Sequence, residues 1–327
     1  MAVLGSGSWG TALAIQFARA GRDTIMWGIE THEIASMAKT RRNKTYLPNA
    51  PFPDRLEVTT ELDAALAGAE DVLVVVPSHA FRETLQRLAG ASTQIQHLAW
   101  ATKGFETDTG LLPHQVAEQV LGTSIPTAVL SGPTFAAEVG IGLPSAMVIA
   151  SADAAFALRL AETITTDNFR AYTSTDITGV EVGGATKNVL AIGAGISDGL
   201  GFGANTRIAL ITRGLVGMTR LGVALGAKKD TFMGLSGMGD LVLTCTDDQS
   251  RNRRFGLALG KGANIDQARQ AIGQVVEGYY AAVAVHRVAT RLQVSMPIVE
   301  EIYRVVYESA SPQEAVIALM RRPITPE

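Results

Sequence analysis

Ala2-Val3-Leu4-Gly5-Ser6-Gly7-Ser8-Trp9-Gly10-Thr11-Ala12 decides how the first half of this chain is read. A short apolar run leads straight into Gly-x-Gly-x-x-Gly, and the stretch that follows, 11–20, has helical composition. Each glycine has its own reason. Gly5 permits the tight turn out of the strand, Gly7 lets the backbone approach a phosphate with no Cβ in the way, and Gly10 allows close packing of helix on strand. The N–H groups at the helix start, beside Ser8 and Trp9, then face an anion. A glycine pattern alone is weak in a chain with 33 glycines, where an ordinary turn competes. The strand before it and the helix after it point instead to a dinucleotide pyrophosphate.

Outward from this loop, β-rich runs at 1–4, 24–27, 72–76, 95–101, 127–130 and 146–150 alternate with amphipathic stretches. That alternation predicts an α/β, Rossmann-like, doubly wound parallel sheet. Several runs are almost wholly apolar, as expected of strands covered by helices on both faces. Ligands of such sheets bind beyond the carboxyl ends of the strands. There Pro77-Ser78-His79, Thr102-Lys103-Gly104 and Ser131-Gly132-Pro133-Thr134 are expected to converge on the glycine loop. A last strand is expected at 169–173. Beyond it only helical patterns follow, at 179–196, 205–225, 251–259, 265–272, 279–292, 297–307 and 312–320. The expected organisation is a dinucleotide-binding domain at 1–175 and an all-α domain at 176–327. Gly179, Gly183, Gly184, Gly193 and Gly195 fall inside one helical pattern. Each costs ~1 kcal/mol against alanine, so close helix packing must offset them.

Composition narrows the function. Hydrophobic residues at 47% and charged residues at 18% of 327 describe a chain with a substantial core. A formal charge of -3 provides no global attraction for nucleic acid or anionic membrane, so neither is an expected partner. The longest uncharged run, between Glu118 and Glu138, is broken by Gly122, Pro126, Gly132 and Pro133 and does not read as a membrane helix. With no secretory signal before the first strand, a cytoplasmic location without membrane insertion is expected. The single cysteine, Cys245, excludes an internal disulfide framework and reads as a small buried hydrophobe. His32, His79, His97, His114 and His286 show no ligand spacing, so no metal is expected. No Gly-x-Ser-x-Gly elbow stands in a strand context that would suit a hydrolase.

Three clusters in the helical half can carry chemistry. Lys187 lies in the least polar part of this half, within Gly184-Ala185-Thr186-Lys187-Asn188-Val189. A buried ammonium needs a partner or a lowered pKa, and then suits general acid–base work. A structural pair with Glu181 or a snorkelling side chain is the open alternative. Asp240, in Ser236-Gly237-Met238-Gly239-Asp240, is either a partner for such a lysine or a cap on the next helix. In Asp247-Asp248-Gln249-Ser250-Arg251-Asn252-Arg253-Arg254, Ser250 reads as an N-cap. Arg251 and Asn252 in the first turn suit a phosphate, because an arginine is otherwise unfavourable at the positive helix end. Arg253 and Arg254 read as solvated surface. A secondary alcohol bearing a phosphate, oxidised with a nicotinamide cofactor and a lysine acid–base, fits these clusters together.

Seven ordered motifs carry a resemblance. They are Gly5-Ser6-Gly7-Ser8-Trp9-Gly10-Thr11-Ala12, Val75-Val76-Pro77-Ser78, Ala101-Thr102-Lys103-Gly104 and Ser131-Gly132-Pro133-Thr134-Phe135-Ala136, followed by Gly184-Ala185-Thr186-Lys187-Asn188, Gly237-Met238-Gly239-Asp240 and Ser250-Arg251-Asn252-Arg253. With them the chain resembles the bacterial NAD(P)-dependent glycerol-3-phosphate dehydrogenases along nearly its whole length. The resemblance implies reversible reduction of dihydroxyacetone phosphate to sn-glycerol 3-phosphate for glycerophospholipid synthesis, in a homodimer. It implies cofactor contacts from Gly5, Gly7, Ser8, Trp9, Gly10, Lys103, Ala136, Arg251, Val275 and Glu277. Substrate contacts are implied for Lys103, Gly132, Thr134, Lys187, Asn188, Asp240, Thr244, Ser250, Arg251 and Asn252. Lys187 would exchange the proton, with Asp240 orienting it and Lys103 adding positive field.

One departure bears on the choice between NAD and NADP, which stays open. The family commonly places a basic residue after the second strand, where this chain has Trp27-Gly28-Ile29-Glu30. Ile29 has no charge for a 2′-phosphate, and Glu30 suits a ribose hydroxyl. Arg41, Arg42 or Lys44 are the residues that could compensate.

Overall fold

Val3, Leu4, Leu73, Val74, Leu98 and Trp100 are almost fully buried. Strands apolar on both faces require helices on both sides. The computed structural model describes residues 1–92 and 94–323, and the chain divides into two compact units. The first comprises Met1–Lys103 and Pro113–Val180, the second Gly104–Leu112 and Glu181–Glu327.

In the first unit the chain runs β1 (Ala2–Leu4), α1 (Ser8–Arg19), β2 (Thr24–Trp27), α2 (Thr31–Thr40), β3 (Arg42–Asn43), β4 (Leu47–Pro51), β5 (Leu56–Thr59) and α3 (Leu62–Leu66). It continues through β6 (Asp71–Val74), α4 (Ser78–Ala89), β7 (His97–Trp100), α5 (Pro113–Leu121), β8 (Thr127–Ser131), α6 (Ala136–Ile141), β9 (Ser145–Ala150), α7 (Ala154–Ile164) and β10 (Phe169–Ser174). Eight strands form one sheet in the order β10-β9-β8-β7-β6-β1-β2-β5, and β3 pairs with β4 in a separate hairpin. The strand order reverses at β1, which lies between β6 and β2, so the glycine loop leaves the sheet at its switch point.

All pairings in the large sheet are parallel except β8 with β9. Between them the chain forms only the short helix α6, and β9 returns directly beside β8 in the opposite direction. Strand β5 and the small hairpin lie outside the runs read from sequence. Leu56-Glu57-Val58-Thr59 forms the sheet edge, where the polar side chains of Glu57 and Thr59 are tolerated and the apolar signal is short.

The second unit holds α8 (Ile177–Gly199, from Glu181 onward), α9 (Ala204–Ala224), α10 (Asp240–Thr246), α11 (Arg251–Gly260), α12 (Ile265–Ile272), α13 (Glu277–Arg291), α14 (Pro297–Tyr307) and α15 (Pro312–Met320). A 3-10 turn, Lys229–Met233, and a π turn, Leu235–Gly239, precede α10. Phe105 and Leu112 belong to this unit's core. The Arg287 guanidinium donates to the Thr107 carbonyl at 2.6 Å.

Helix α8 is buried all round its middle. A Cβ on Gly195 would run into the Arg253 carbonyl, and one on Gly256 into that of Ile192. Backbone-to-backbone contact of α8 with α11 thus offsets the cost of glycine inside α8.

Candidate active site

In the first unit, Gly5 has φ +125°, and a Cβ there would strike the Val75 carbonyl at the end of β6. A Cβ on Gly10 would strike the Gly5 carbonyl, whereas one on Gly7 would meet nothing within 4 Å. Two glycines therefore build the loop, and the third leaves its outer face open. Gly7 is also the N-cap of α1 and makes no side-chain cap bond, so the first-turn N–H groups are presented outward. The Trp9 indole Nε1 is buried with no hydrogen-bond partner among the described residues. These features fit a dinucleotide pyrophosphate.

Asn43 holds the loop. Its side-chain amide donates to the Ser6 carbonyl at 2.9 Å and to Thr11 Oγ1 at 2.8 Å. Sequence reasoning missed it, since a lone Asn in a two-residue strand has no local signature. Beyond β2, Ile29 is 65% exposed and Glu30 is exposed. The Arg41 guanidinium donates to the carbonyls of Leu56 and Pro53, each at 2.6 Å. That commits Arg41 to the backbone and leaves Arg42 and Lys44, both exposed, of the three cations that could compensate.

The other loops follow the neighbouring strand ends. Thr102 Oγ1 donates to the Val76 carbonyl at 2.7 Å and ties the segment bearing Lys103 to the end of β6. Gly132 follows β8, where a Cβ would lie 2.8 Å from the Met147 Cα of β9. Thr134 Oγ1 donates to the Gly132 carbonyl at 3.3 Å, and Ala136 starts α6. Ser131 Oγ, at the end of β8, is buried without a hydrogen-bond partner among the described residues.

In the second unit, Lys187 and Asp240 are 7% and 1% exposed. Lys187 Nζ donates to Asp240 Oδ1 at 2.6 Å and to Thr244 Oγ1 at 2.9 Å. Thr244 Oγ1 in turn donates to the Asp240 carbonyl at 2.6 Å. A carboxylate so close stabilises the ammonium form. Asp240 is the first residue of α10 and its side chain does not cap that helix, which resolves the alternative that its sequence left open. Glycines make the approach possible. A Cβ on Gly183, one turn before Lys187, would strike the Ser236 carbonyl, and one on Gly237 would strike the Phe232 backbone. The π turn delivers Asp240 there, a local irregularity often found at functional sites.

At the start of α11, Ser250 is the N-cap, with Oγ accepting from the Arg253 N–H at 3.2 Å. Arg251 is partly exposed and donates to Gln274 Oε1 at 3.3 Å. The Asn252 amide donates to Asn188 Oδ1 at 2.9 Å and accepts from the Gly278 N–H at 2.8 Å. Its side chain therefore joins α8, α11 and α13. Val275 is 38% exposed. Glu277 starts α13, where burial pushes its carboxyl up to about 7 against the opposing charge of Arg251. Arg253 corrects a sequence expectation: it is 8% exposed, not solvated, because Asp198 and Asp248 receive its guanidinium. Arg254 is exposed. Cys245 is fully buried, and burial raises its thiol to about 12, so it is a packing residue.

Two family models match this chain. The one described as NAD-dependent glycerol-3-phosphate dehydrogenase N-terminus covers residues 1–157, and its C-terminus counterpart covers 176–317. The chain belongs to the NAD-dependent glycerol-3-phosphate dehydrogenase family. A curated relative from Pseudoalteromonas translucida, named glycerol-3-phosphate dehydrogenase (NAD(P)+), is 55% identical over 98% of this chain and 96% of its own length. A relative of the same name from Nitrosococcus oceani is 54% identical over 99% of this chain and 94% of its own. Among solved structures, glycerol-3-phosphate dehydrogenase from Coxiella burnetii matches with a TM-score of 0.94 and 46% identity, covering 98% of each chain. The fold class, the family and an enzyme using NAD or NADP thus agree with the reading from sequence. No described helix is long and apolar enough to cross a membrane.

Proposed function

We propose that this member of the glycerol-3-phosphate dehydrogenase family reversibly reduces dihydroxyacetone phosphate to sn-glycerol 3-phosphate, with Lys187 exchanging the proton. The observation that carries this is the buried Lys187–Asp240–Thr244 arrangement. It holds one ammonium on the same helix as Asn188, whose side chain bonds to the first turn of α11. When bound, the nicotinamide supplies or accepts the hydride at the substrate's central carbon. In ketone reduction the Lys187 ammonium donates a proton to the carbonyl oxygen, so hydride and proton together make the alcohol. In the reverse direction the neutral amine takes the hydroxyl proton. Asp240 and Thr244 keep the ammonium aimed, and their preorganised field favours the charge that develops on oxygen.

Gly5, Gly7, Ser8, Trp9, Gly10 and Ala136 hold the cofactor, with Val275 and Glu277 as further contacts. Lys103, Gly132 and Thr134 contact the substrate. Ser250, Arg251 and Asn252 hold the phosphate, Arg251 through its guanidinium and the others by shaping the helix end. Phosphate binding positions the reacting carbon. The cytoplasm as location, a homodimer as working form and supply of glycerophospholipid backbones complete the proposal. The test mixes the protein with NADH or NADPH and dihydroxyacetone phosphate and follows loss of reduced-cofactor absorbance. No oxidation with either cofactor overturns it. Light scattering on the eluted protein tests the dimer.

A further inference from the structure

A second buried charge cluster lies in the same unit, outside the proposed chemistry. Asp198 is on the last turn of α8. It accepts from Arg253 Nη2 at 2.5 Å on Oδ2, and from Arg207 Nη1 at 2.9 Å on Oδ1 and 3.0 Å on Oδ2. Arg253 also pairs with Asp248. The side chains of Asp198 and Arg253 are each 10% exposed. The Nε atoms of Arg207 and Arg253 are buried without hydrogen-bond partners among the described residues. This is a costly way to gain stability. A buried ion pair rarely surpasses an apolar pair of the same shape, unpartnered N–H groups add to the cost, and an arginine in a first turn opposes the helix dipole. Fixed geometry is what such a pair supplies.

The positions say what is fixed. Lys187 and Asp198 share α8, eleven residues and so ~16 Å apart along its axis. The first turn of α11 is attached to α8 at two separate points, Asn252 to Asn188 beside the lysine and Arg253 to Asp198 at the far end. Between them Gly195 lets the Arg253 carbonyl rest against α8. Backbone contact at Gly195 and Gly256 sets how closely the two helices lie, and the two side-chain bonds add fixed points that set the displacement of the helix end along α8. Arg207, from the first turn of α9, bonds both carboxylate oxygens and keeps Asp198 from rotating.

We propose that Asp198 and Arg253 are positioning residues that hold the start of α11 in its phosphate-binding geometry and so set the distance from the Lys187 ammonium to that phosphate. They thereby help select a substrate by its span from carbonyl to phosphate. This rests on the assignment of the phosphate to that helix end. Asp198→Asn removes the charge and keeps the shape. The expected result is a KM for dihydroxyacetone phosphate raised about tenfold and inorganic phosphate bound correspondingly more weakly. Turnover on unphosphorylated dihydroxyacetone and NADH affinity stay at their wild-type values. Arg253→Lys keeps a charge but loses the fork, and should show the same pattern more weakly. It also decides the matter if Asp198→Asn does not fold. Unchanged KM and phosphate affinity in a folded variant overturn the proposal, as do equal losses on both substrates. Phosphate titration needs no turnover, so it decides the positioning role even if wild-type protein proves inactive, an outcome that would instead remove the assigned reaction.

Discussion

Replacing Lys187 by methionine separates catalysis from stability. The substitution keeps the length of the stem but removes the ammonium from a carboxylate whose side chain is only 1% exposed. Breaking one side of a buried pair costs about 3–5 kcal/mol. At roughly 2–4 °C per kcal/mol for a unit of this size, the melting midpoint should fall by about 6–20 °C. A positioned acid contributes between about a hundredfold and ten-thousandfold, so kcat for dihydroxyacetone phosphate should fall by that factor, about 3–5 kcal/mol of barrier. NADH affinity, read by nicotinamide fluorescence, should not change, because the glycine loop lies in the other unit. The decisive protein is Lys187→Met with Asp240→Asn. Neutralising the leftover carboxylate should restore most of the midpoint while turnover stays low. Turnover that recovers with the midpoint, or a single variant that loses less than about tenfold in kcat while melting earlier, would make Lys187 a structural cation and refute the assignment.

Further expectations follow from the same geometry. Arg251→Ala should raise KM for dihydroxyacetone phosphate by about 10–150-fold, the worth of a charge-assisted bond of roughly 1.5–3 kcal/mol, and lower dihydroxyacetone turnover far less in steady-state assays. Glu277 has its carboxyl raised from 4.5 to about 7. Between these values the folded state holds more proton than the unfolded state, so the group's contribution to stability falls as pH rises through the window. Urea midpoints measured across it should show a flatter profile for Glu277→Gln, and an identical profile would contradict the burial argument. Ile29→Arg places a guanidinium after β2, where the side chain is exposed. It should shift the NADPH-to-NADH ratio of kcat/KM upward by about tenfold, worth roughly 1.4 kcal/mol, and no shift would move the 2′-phosphate contact to Arg42 or Lys44.

Legibility in the sequence varied with the range of the interaction. The glycine loop was legible because turn, close approach and helix start are all local demands on consecutive residues. The buried strands were legible for the same reason, as runs of apolar side chains. Edge strand β5 and the β3–β4 hairpin were not, since an alternation over four residues, or a strand of two, is too short to stand out from a loop. The antiparallel direction of β9 is set by its pairing with β8, and its apolar run reads the same in either direction. Ser250 as an N-cap could be read from its place before a helical pattern. Arg253 could not be placed, because the carboxylate that buries it lies 55 residues away.

By itself the sequence determined a glycine-loop strand and helix, an alternating α/β half, a helical half and the residue types a phosphate-bearing alcohol would need. It also determined that Lys187 required an explanation. Tertiary structure alone decided that the explanation is Asp240 and Thr244, which lie 53 and 57 residues further along the chain. It decided, too, that Asn252 spends its side chain on Asn188 and Gly278, and that Arg41 spends its guanidinium on backbone carbonyls. The physical reason is common to all three. Local propensity shows where a polar group stands along the chain, but which partner offsets its burial depends on which other elements the packed core brings within hydrogen-bond reach.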